Sequence, residues 1–595
     1  MSIPVRSEQK VSDTWDLGSL FVDDQAWEAA RLQLEERIKE ASSFKGSLLA
    51  GKDSFIKTMR WYEQTGILLE RIYSYAFLSW ATDASNNEAT QKYSLAREAY
   101  TRLGAAMAFF DVELLQIEEE TINEYLADEA FADFAVYIKK ARHLKDHVLS
   151  EAEERLLALQ SNAGSTAQAV FSDLTNVDFD FGSVDGKPLS QSTFASFLMS
   201  GDRDLRMRAY QQFYGVYEEH KHTLGRLYEG QIKQDLFRMR ARGYESARKM
   251  ALFNDDVPLS VYDNLIKSVH ASFPTLHRYY EIRRKALKVE KLAHWDVYVP
   301  LVEGVDTHTS YDQAVETISA ALAPLGAEYV ETLRAGLTEE RWVDRYENKG
   351  KRSGAFSSGS FTGKPYILMN YKEDVLRDLF TLAHEGGHSM HSYYSSKNNP
   401  FFHYDYTIFE AEVASTFNEQ LVAKYMIENA TNVQIKANII SKQVDDIVAT
   451  LYRQTMFAEF EMIIHQKAEE GEPITLALIR EVYGDLQRLY FGPEVEFLPE
   501  TNLEGLRIPH FYSPFYVYKY ATGLSAAIAL AKRVMEGGEE ERNQYLAFLS
   551  SGGSKYPIET LKTAGVDMST PKPVEEALQV FSSLLDQLEK LLGLA

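Results

Sequence analysis

Near the middle of the chain, DLFTLAHEGGHSMHSYY holds His384, Glu385 and His388 in the order HExxH, a set of residue types that can hold a metal and activate water. On a helix, positions four apart lie one above the other, so the two imidazoles can converge on one ion. Glu385, about 100° further round, can reach a water beside that ion without ligating it. The bland alternative is a core helix with two buried histidines. Against it stand Gly386 and Gly387, each costing a helix about 1 kcal/mol relative to alanine. A purely structural helix has no use for the pair, whereas a closely approaching substrate backbone or neighbouring helix would profit from the missing Cβ atoms.

A hydrolytic zinc usually keeps three protein ligands and one water, so the motif leaves one place to fill. His391 lies about 10 Å along the axis from His384, too far for one helix to deliver all three nitrogens. It reads as a second-shell or substrate contact on the same face, or as packing. Downstream, FEAEVASTFNEQL opens another helix, and Glu412 follows His388 by 24 residues, with the loop SSKNNPFFHYDY available to turn the chain back. Glu412 is the expected third ligand, while Glu410 and Glu419 compete with it on spacing alone. Glu419 could instead orient a ligating imidazole from behind. All three could equally be acids on a helix surface. The chain has no cysteine, which excludes thiol nucleophiles, disulfides and Cys-ligated zinc or iron–sulfur sites.

These residues sit in a chain of 595 residues, 45% hydrophobic and 25% charged, the composition of a soluble globular protein with more than one core. Lys plus Arg number 63 and Asp plus Glu 87, and 63 − 87 gives a net charge of −24 that argues against nucleic acid as a partner. The first residues are polar and lack an apolar signal region, so the expected location is cytoplasmic. The apolar run 523–531, between Lys519 and Lys532, falls well short of the roughly 20 residues a membrane span needs. Apolar residues returning every three or four positions predict long helices from Asp23 to about Gln160, again from about Ser192, and through 372–395, 409–428, 432–470 and the C-terminal end. Alternating Val177, Phe179 and Phe181 before Asp185-Gly186 predict a small hairpin near 176–190. The segment GKRSGAFSSGSFTGKPYILMNY, 350–371, predicts a loop and a strand pair. The expected organisation is an N-terminal helical region, 1–200, followed by a catalytic region, 201–595.

With these residues in hand, the chain resembles the oligoendopeptidase F group within the thimet oligopeptidase and neurolysin family of zinc peptidases. The resemblance rests on HEGGHSMH and, at family spacing, Glu412-Val413-Ala414-Ser415 with Glu419 beyond. Supporting stretches are RARGYESA (240–247), HWDVYVPL (294–301) and IPHFYSPFYVYKYATG (508–523). Thimet-like members commonly carry Pro and Gln where this chain has Ala414 and Thr416, a departure toward the oligoendopeptidase branch. The resemblance implies a mainly α fold: a large helical ellipsoid whose two halves enclose a deep substrate channel, with a small β-sheet beside the HExxH helix. It also implies one zinc ion per chain held by His384, His388 and Glu412, with Glu385 as general base or acid. Short peptides are the implied substrates.

Within Ser353–Tyr371 the resemblance assigns substrate-backbone pairing, with Gly354, Ser358 and Gly359 as substrate-binding positions. In the C-terminal stretch His510 matches a substrate- and oxyanion-binding histidine and Tyr520 the distal tyrosine. Tyr512, Tyr516 and Tyr518 are candidates for a second tyrosine, and the first two are also expected to bind substrate. Rival readings are another HExxH metallohydrolase, such as an aminopeptidase or carboxypeptidase, and a catalytically silent peptide receptor retaining a structural zinc. Monomer and homo-oligomer both stay open.

Overall fold

The computed structural model describes residues 3–302 and 308–594. Helices dominate these residues, and strands are confined to three small sheets, so the mainly α class expected from the periodicity holds. Two compact units take their described residues from interleaved spans. The first uses Met1–Asp146, Asp306–Tyr425 and Leu530–Val566; the second uses His147–Val305, Met426–Ala529 and Asp567–Ala595.

In the first unit, helices Asp24–Glu40, Lys52–Thr82 and Asn87–Ala106 share one core. Lys52–Thr82 buries Phe55, Met59, Leu69, Ile72 and Ala76 at helical spacing, against Trp27 and Leu34 of the first helix and Ala96 and Leu103 of the third. Asp23 and Asn86 cap two of the helices by accepting first-turn N–H groups. The same core receives Tyr366 and Leu368 from the central strand of a three-stranded sheet. That strand, Tyr366–Leu368, runs parallel to Val343–Asp344 and antiparallel to Phe356–Ser358. The expected strand pair within 350–371 therefore forms, and Phe356–Ser358 is an edge strand.

The HExxH motif lies on Leu376–Asn398 and the downstream acids on Ile408–Asn429. Their crossing explains one of the two glycines. A Cβ on Gly387 would meet the Ala414 carbonyl oxygen and Ser415 Cα, both at 2.6 Å, so the two helix backbones touch there. Asn418 ties them further, its side-chain amide donating to the Ala383 carbonyl at 3.2 Å and its oxygen accepting from Tyr329 at 3.1 Å.

The second unit is built around the 39-residue helix Arg203–Ala241. Lys572–Leu591 shows its amphipathic logic most clearly, burying Val574, Ala577, Leu578, Phe581, Leu584, Leu585 and Leu588. At its centre the fully buried Glu504 accepts from Arg453 at 2.7 Å and from Tyr483 at 2.9 Å. Burial pushes that carboxyl upward, and the Arg453 guanidinium overrides it, holding the group down at about 2.

Two expectations are corrected in this unit. The hairpin forms only at Ser183–Val184 and Lys187–Pro188, around the left-handed Asp185 and Gly186. The alternation from Val177 is not strand: Leu174–Asp178 is a π turn continuing the preceding helix, and Val177 is 75% exposed. Thr175 donating to the Phe171 carbonyl at 2.7 Å keeps that turn helical. Phe179 and Phe181 are buried by packing on Tyr217 and Phe213 rather than by strand pairing. The helical run expected over 432–470 likewise contains a π turn, Val448–Tyr452, between Val433–Ile447 and Arg453–Glu469. Among the described residues no helix is long and apolar enough to cross a membrane.

Candidate metal centre

Two crossing helices of the first unit bring His384, His388 and Glu412 together. One nitrogen or carboxylate oxygen from each lies within 4.8 Å of the others. The i, i+4 spacing turns the two imidazoles to the same side, ring centroids 4.8 Å apart and nearly perpendicular. Glu412 comes from the first turns of Ile408–Asn429, and its Oε2 lies 3.6 Å from His384 Nε2. Each imidazole is also held from behind. His384 Nδ1 lies 2.5 Å from Glu419 Oε1, which fixes the proton on Nδ1 and leaves Nε2 as the free lone pair. His388 donates its ring N–H to the Ala411 backbone carbonyl.

The electrostatics favour a cation in this pocket. Burial lowers His388 to about 3, so it stays neutral and able to ligate at any physiological pH. Burial also works against the His384 cation, but the Glu419 carboxylate outweighs it and raises that group. Two imidazoles and a carboxylate, with no sulfur, make the donor set of a borderline divalent ion that keeps one position open. These residues therefore fit the hydrolytic metal site that their spacing implies.

Glu385 is buried beside them at 7% exposure. Burial raises its carboxyl to about 7; His384 opposes the rise, Glu412 adds to it, and a hydrogen bond from the Ser357 N–H lowers it. That bond links the motif to the edge strand. Ile367 spends its N–H on Trp342, so Ile367 faces Val343–Asp344, and its neighbours Tyr366 and Leu368 face Ser358 and Phe356. Ser357, opposite Ile367, thus turns its backbone groups to the open side of the sheet. Its hydroxyl lies 2.8 Å from Ser389, which donates to the Pro365 carbonyl at 3.1 Å, fixing the strand to the motif helix. Gly359 continues the edge, and a Cβ there would strike the Ser392 side chain at 2.5 Å. Ser358 is half-buried in the strand; Gly354, at φ 82°, forms the turn before it and accepts from Asn370 at 2.8 Å.

The two acids that compete with Glu412 have other partners. Glu410 is fully buried and accepts from the Thr407 N–H and hydroxyl, each at 3.2 Å, at the start of its own helix. Glu419 faces the back of His384. His391 is 1% exposed, stacked on Tyr406 at 3.6 Å and close to Phe548, and its ring nitrogens have no hydrogen-bond partner among the described residues. It packs in the core beneath the motif.

The remaining expected residues lie in the second unit. His510 sits in a short turn, Pro509–Tyr512, and its Nε2 lies 3.4 Å from the Tyr520 hydroxyl in the first turn of Tyr518–Glu536. Tyr516 lies parallel to His510 at 6.0 Å and perpendicular to Tyr520 at 5.4 Å. Tyr512 is buried and stacked on Phe171 at 4.5 Å, and Tyr518 is buried against Tyr262. Sequence reasoning missed Asn418, Ala411 and Ser357. Ala411 and Ser357 act through backbone atoms, which residue type does not mark. Asn418, with Ser415 and Thr416 before it and Glu419 and Gln420 after it, reads in the sequence as one more polar residue of the helix.

The sequence profile of peptidase family M3 matches residues 196–580, and a profile described as oligopeptidase F matches 113–181. The chain is 42% identical over 586 residues to an oligoendopeptidase F homolog of Borreliella burgdorferi, covering 98% of this chain and 99% of that one. It is 41% identical over 596 residues to oligopeptidase PepF of Bacillus subtilis, covering 99% and 89%. Among solved structures, oligoendopeptidase-F from Enterococcus faecium matches with a TM-score of 0.73 at 33% identity, covering 96% of this chain and 99% of that one.

Proposed function

The chain belongs to peptidase family M3 and is a metallopeptidase, and from that premise we propose that it is a zinc-dependent oligoendopeptidase cutting internal bonds of short, unfolded peptides. The observation that carries the reading is the convergence of His384, His388 and Glu412 next to Glu385, whose carboxyl is bonded to an open strand edge. In this reading His384 Nε2, a nitrogen of His388 and a Glu412 oxygen hold the zinc. Bound there, zinc supplies Lewis acidity, lowering the pKa of a water and polarising the scissile carbonyl.

The chain's own residues do the rest. Glu385, adjoining the three ligand residues, would take a proton from the attacking water and pass it to the departing amine. Glu419 and the Ala411 carbonyl keep both imidazoles aimed while charge changes around them. The edge Phe356–Ser358, continued by Gly359, is assigned to substrate recognition by strand addition, in which an incoming peptide would use the Ser357 carbonyl and compete with Glu385 for the Ser357 N–H; this requires an extended chain and so disfavours folded proteins. To His510 and Tyr520 we assign hydrogen bonds to the substrate and to the oxygen that gains negative charge, on the strength of their resemblance and mutual approach. Tyr516, beside them, is assigned to substrate contact.

The test pairs one peptide of about ten residues with its acetylated, amidated copy, each incubated with chelated and with zinc-restored protein. The expected result is the same internal cut in both peptides, only with zinc restored. Cleavage that requires a free terminus would replace the proposal with an exopeptidase.

A further inference from the structure

Between the turn that carries His510 and the helix that carries Tyr520, the backbone adopts a conformation its sequence resists. Phe515 has φ 56°. The other non-glycine residues with positive φ among those described are Asp185, Asp256, Lys288 and Arg341, and a bulky aromatic there is the outlier. Pro514 precedes it, and turns with a left-handed residue after proline ordinarily place Gly or Asn at that position. Such a conformation persists only where the surroundings over-determine it.

The surroundings are specific. The Phe515 N–H donates to Glu461 Oε1 at 3.0 Å, in a buried site. The Phe515 ring is 2% exposed and packs on His465 at 4.7 Å and on Tyr262 at 6.0 Å. Glu461 comes from the middle of Arg453–Glu469, is fully buried, and has no Lys or Arg partner among the described residues; its Oε2 has no hydrogen-bond partner among them either. One turn along that helix, His465 bonds the Glu461 backbone carbonyl through Nδ1 at 2.8 Å and Asp235 through Nε2 at 3.2 Å. Burial pushes the Glu461 carboxyl well above the usual carboxylate range; the Phe515 bond opposes this and Asp235 adds to it. A buried acid without a cation is a costly way to fill space that a hydrophobic residue would fill better. Its one side-chain hydrogen-bond partner among the described residues is the strained amide.

We propose that Glu461 is a positioning residue for the peptidase reaction: by capturing the Phe515 amide it holds the left-handed turn that sets Tyr520 and Tyr516 against His510. A change of φ at Phe515 swings the His510 turn relative to the helix that follows. The 3.4 Å approach of the Tyr520 hydroxyl to His510 and the packing of Tyr516 beside both rings depend on that angle. The inference rests on the assignment of His510 and Tyr520 as substrate and oxyanion donors.

The experiment compares Glu461→Gln, which keeps an uncharged side chain and an acceptor oxygen, with Glu461→Leu, which keeps the bulk and loses the acceptor, in the full chain loaded with zinc. Expected for Glu461→Leu is a fall in kcat of at least about tenfold with KM within about twofold, and for Glu461→Gln a kcat within about twofold of the parent. In a Tyr520→Phe background, the additional effect of Glu461→Leu should shrink below about threefold, because the donor it positions is already gone. Full additivity would mark Glu461 as merely structural and overturn the proposal. An unaffected Glu461→Leu beside an impaired Tyr520→Phe would also overturn it while leaving the peptidase assignment of the tyrosine intact. If Tyr520→Phe and His510→Ala are both as active as the parent, the donor assignment fails and the positioning role with it. Should Glu461→Leu not fold, amide hydrogen exchange at Phe515 in the unaltered protein decides: strong protection is expected, and exchange as fast as an open loop refutes the hold.

Discussion

Replacing Gly387 by alanine tests whether the crossing of two helices builds the metal site. The new Cβ would lie 2.6 Å from the Ala414 carbonyl oxygen, 2.6 Å from Ser415 Cα and 3.0 Å from the Ala414 carbonyl carbon. All three are backbone atoms of the neighbouring helix, so no side chain can swing aside. Non-bonded carbons rest about 3.5–4.0 Å apart, so the helices must separate locally by about 1 Å. Overpacking of this kind costs about 1–3 kcal/mol, and the better helix propensity of alanine returns about 1 kcal/mol, so stability should fall by about 0–2 kcal/mol, a range too wide to test the contact by itself. Metal affinity is the sensitive readout. His384 and His388 ride on one helix and Glu412 on the other, while ligand distances at a metal tolerate only about 0.2 Å. Zinc affinity, measured by competition with a chromophoric chelator, should weaken at least about tenfold, or about 1.4 kcal/mol. Gly386→Ala is the control: its nearest neighbours are the Leu333 methyl carbons at 3.3 and 3.5 Å, the flexible end of a side chain. It should stay within about threefold of the parent. Equal zinc affinity in the parent and both variants, with helicity unchanged by circular dichroism, would refute the reasoning.

Other expectations follow from the same contacts. Glu419→Ala frees the back of His384 and should weaken zinc about 10- to 100-fold in the same competition assay, and an unchanged affinity would remove Glu419 from the site. Arg453→Met removes the nearer of two guanidinium groups from the buried Glu504, leaving Tyr483 at 2.9 Å and Arg507 at 3.6 Å; the denaturant midpoint should fall by an amount equivalent to about 2–3 kcal/mol, with much of it recovered by adding Glu504→Gln. Because the folded value of Glu504 is depressed, its contribution is present above about pH 4.5 and is lost as the pH falls toward 2. Glu70 has the opposite sign. Burial raises it to about 7, with the Phe361 N–H opposing and Asp405 adding, so its stabilisation is full below about pH 4.5 and is lost as the pH rises through 7. Glu70→Gln should therefore gain stability relative to the parent between pH 5 and pH 8, and an equal difference at the two values would contradict the assigned shift.

The HExxH pattern was legible because helical spacing alone decides which faces coincide. The choice among Glu410, Glu412 and Glu419 was not, because it depends on how a second helix crosses the first. Thr407 holds Glu410, His384 holds Glu419, and the helix crossing at Gly387, tied further by Asn418, brings Glu412 forward. Gly387 could be read as a broken local rule, but not which neighbour would exploit it. His391 shares the motif helix, and yet Tyr406, from the loop beyond, determines that it is packed in the core. The alternation at Val177 misled because five residues of period two compete with a helix already under way, and the backbone bond from Phe179 to Leu174 kept the helical path. The Glu461–Phe515 bond joins residues 54 apart in sequence with no local signal.

The most direct measurement is a mass-spectrometric map of products from peptides of about 6 to 40 residues, made with the parent protein and Glu385→Gln at matched zinc content. Internal cuts, concentrated in the short peptides, are expected from the parent alone. Equal cutting by both proteins would contradict the role of Glu385, and no cutting by either with zinc bound would replace the peptidase with a peptide receptor.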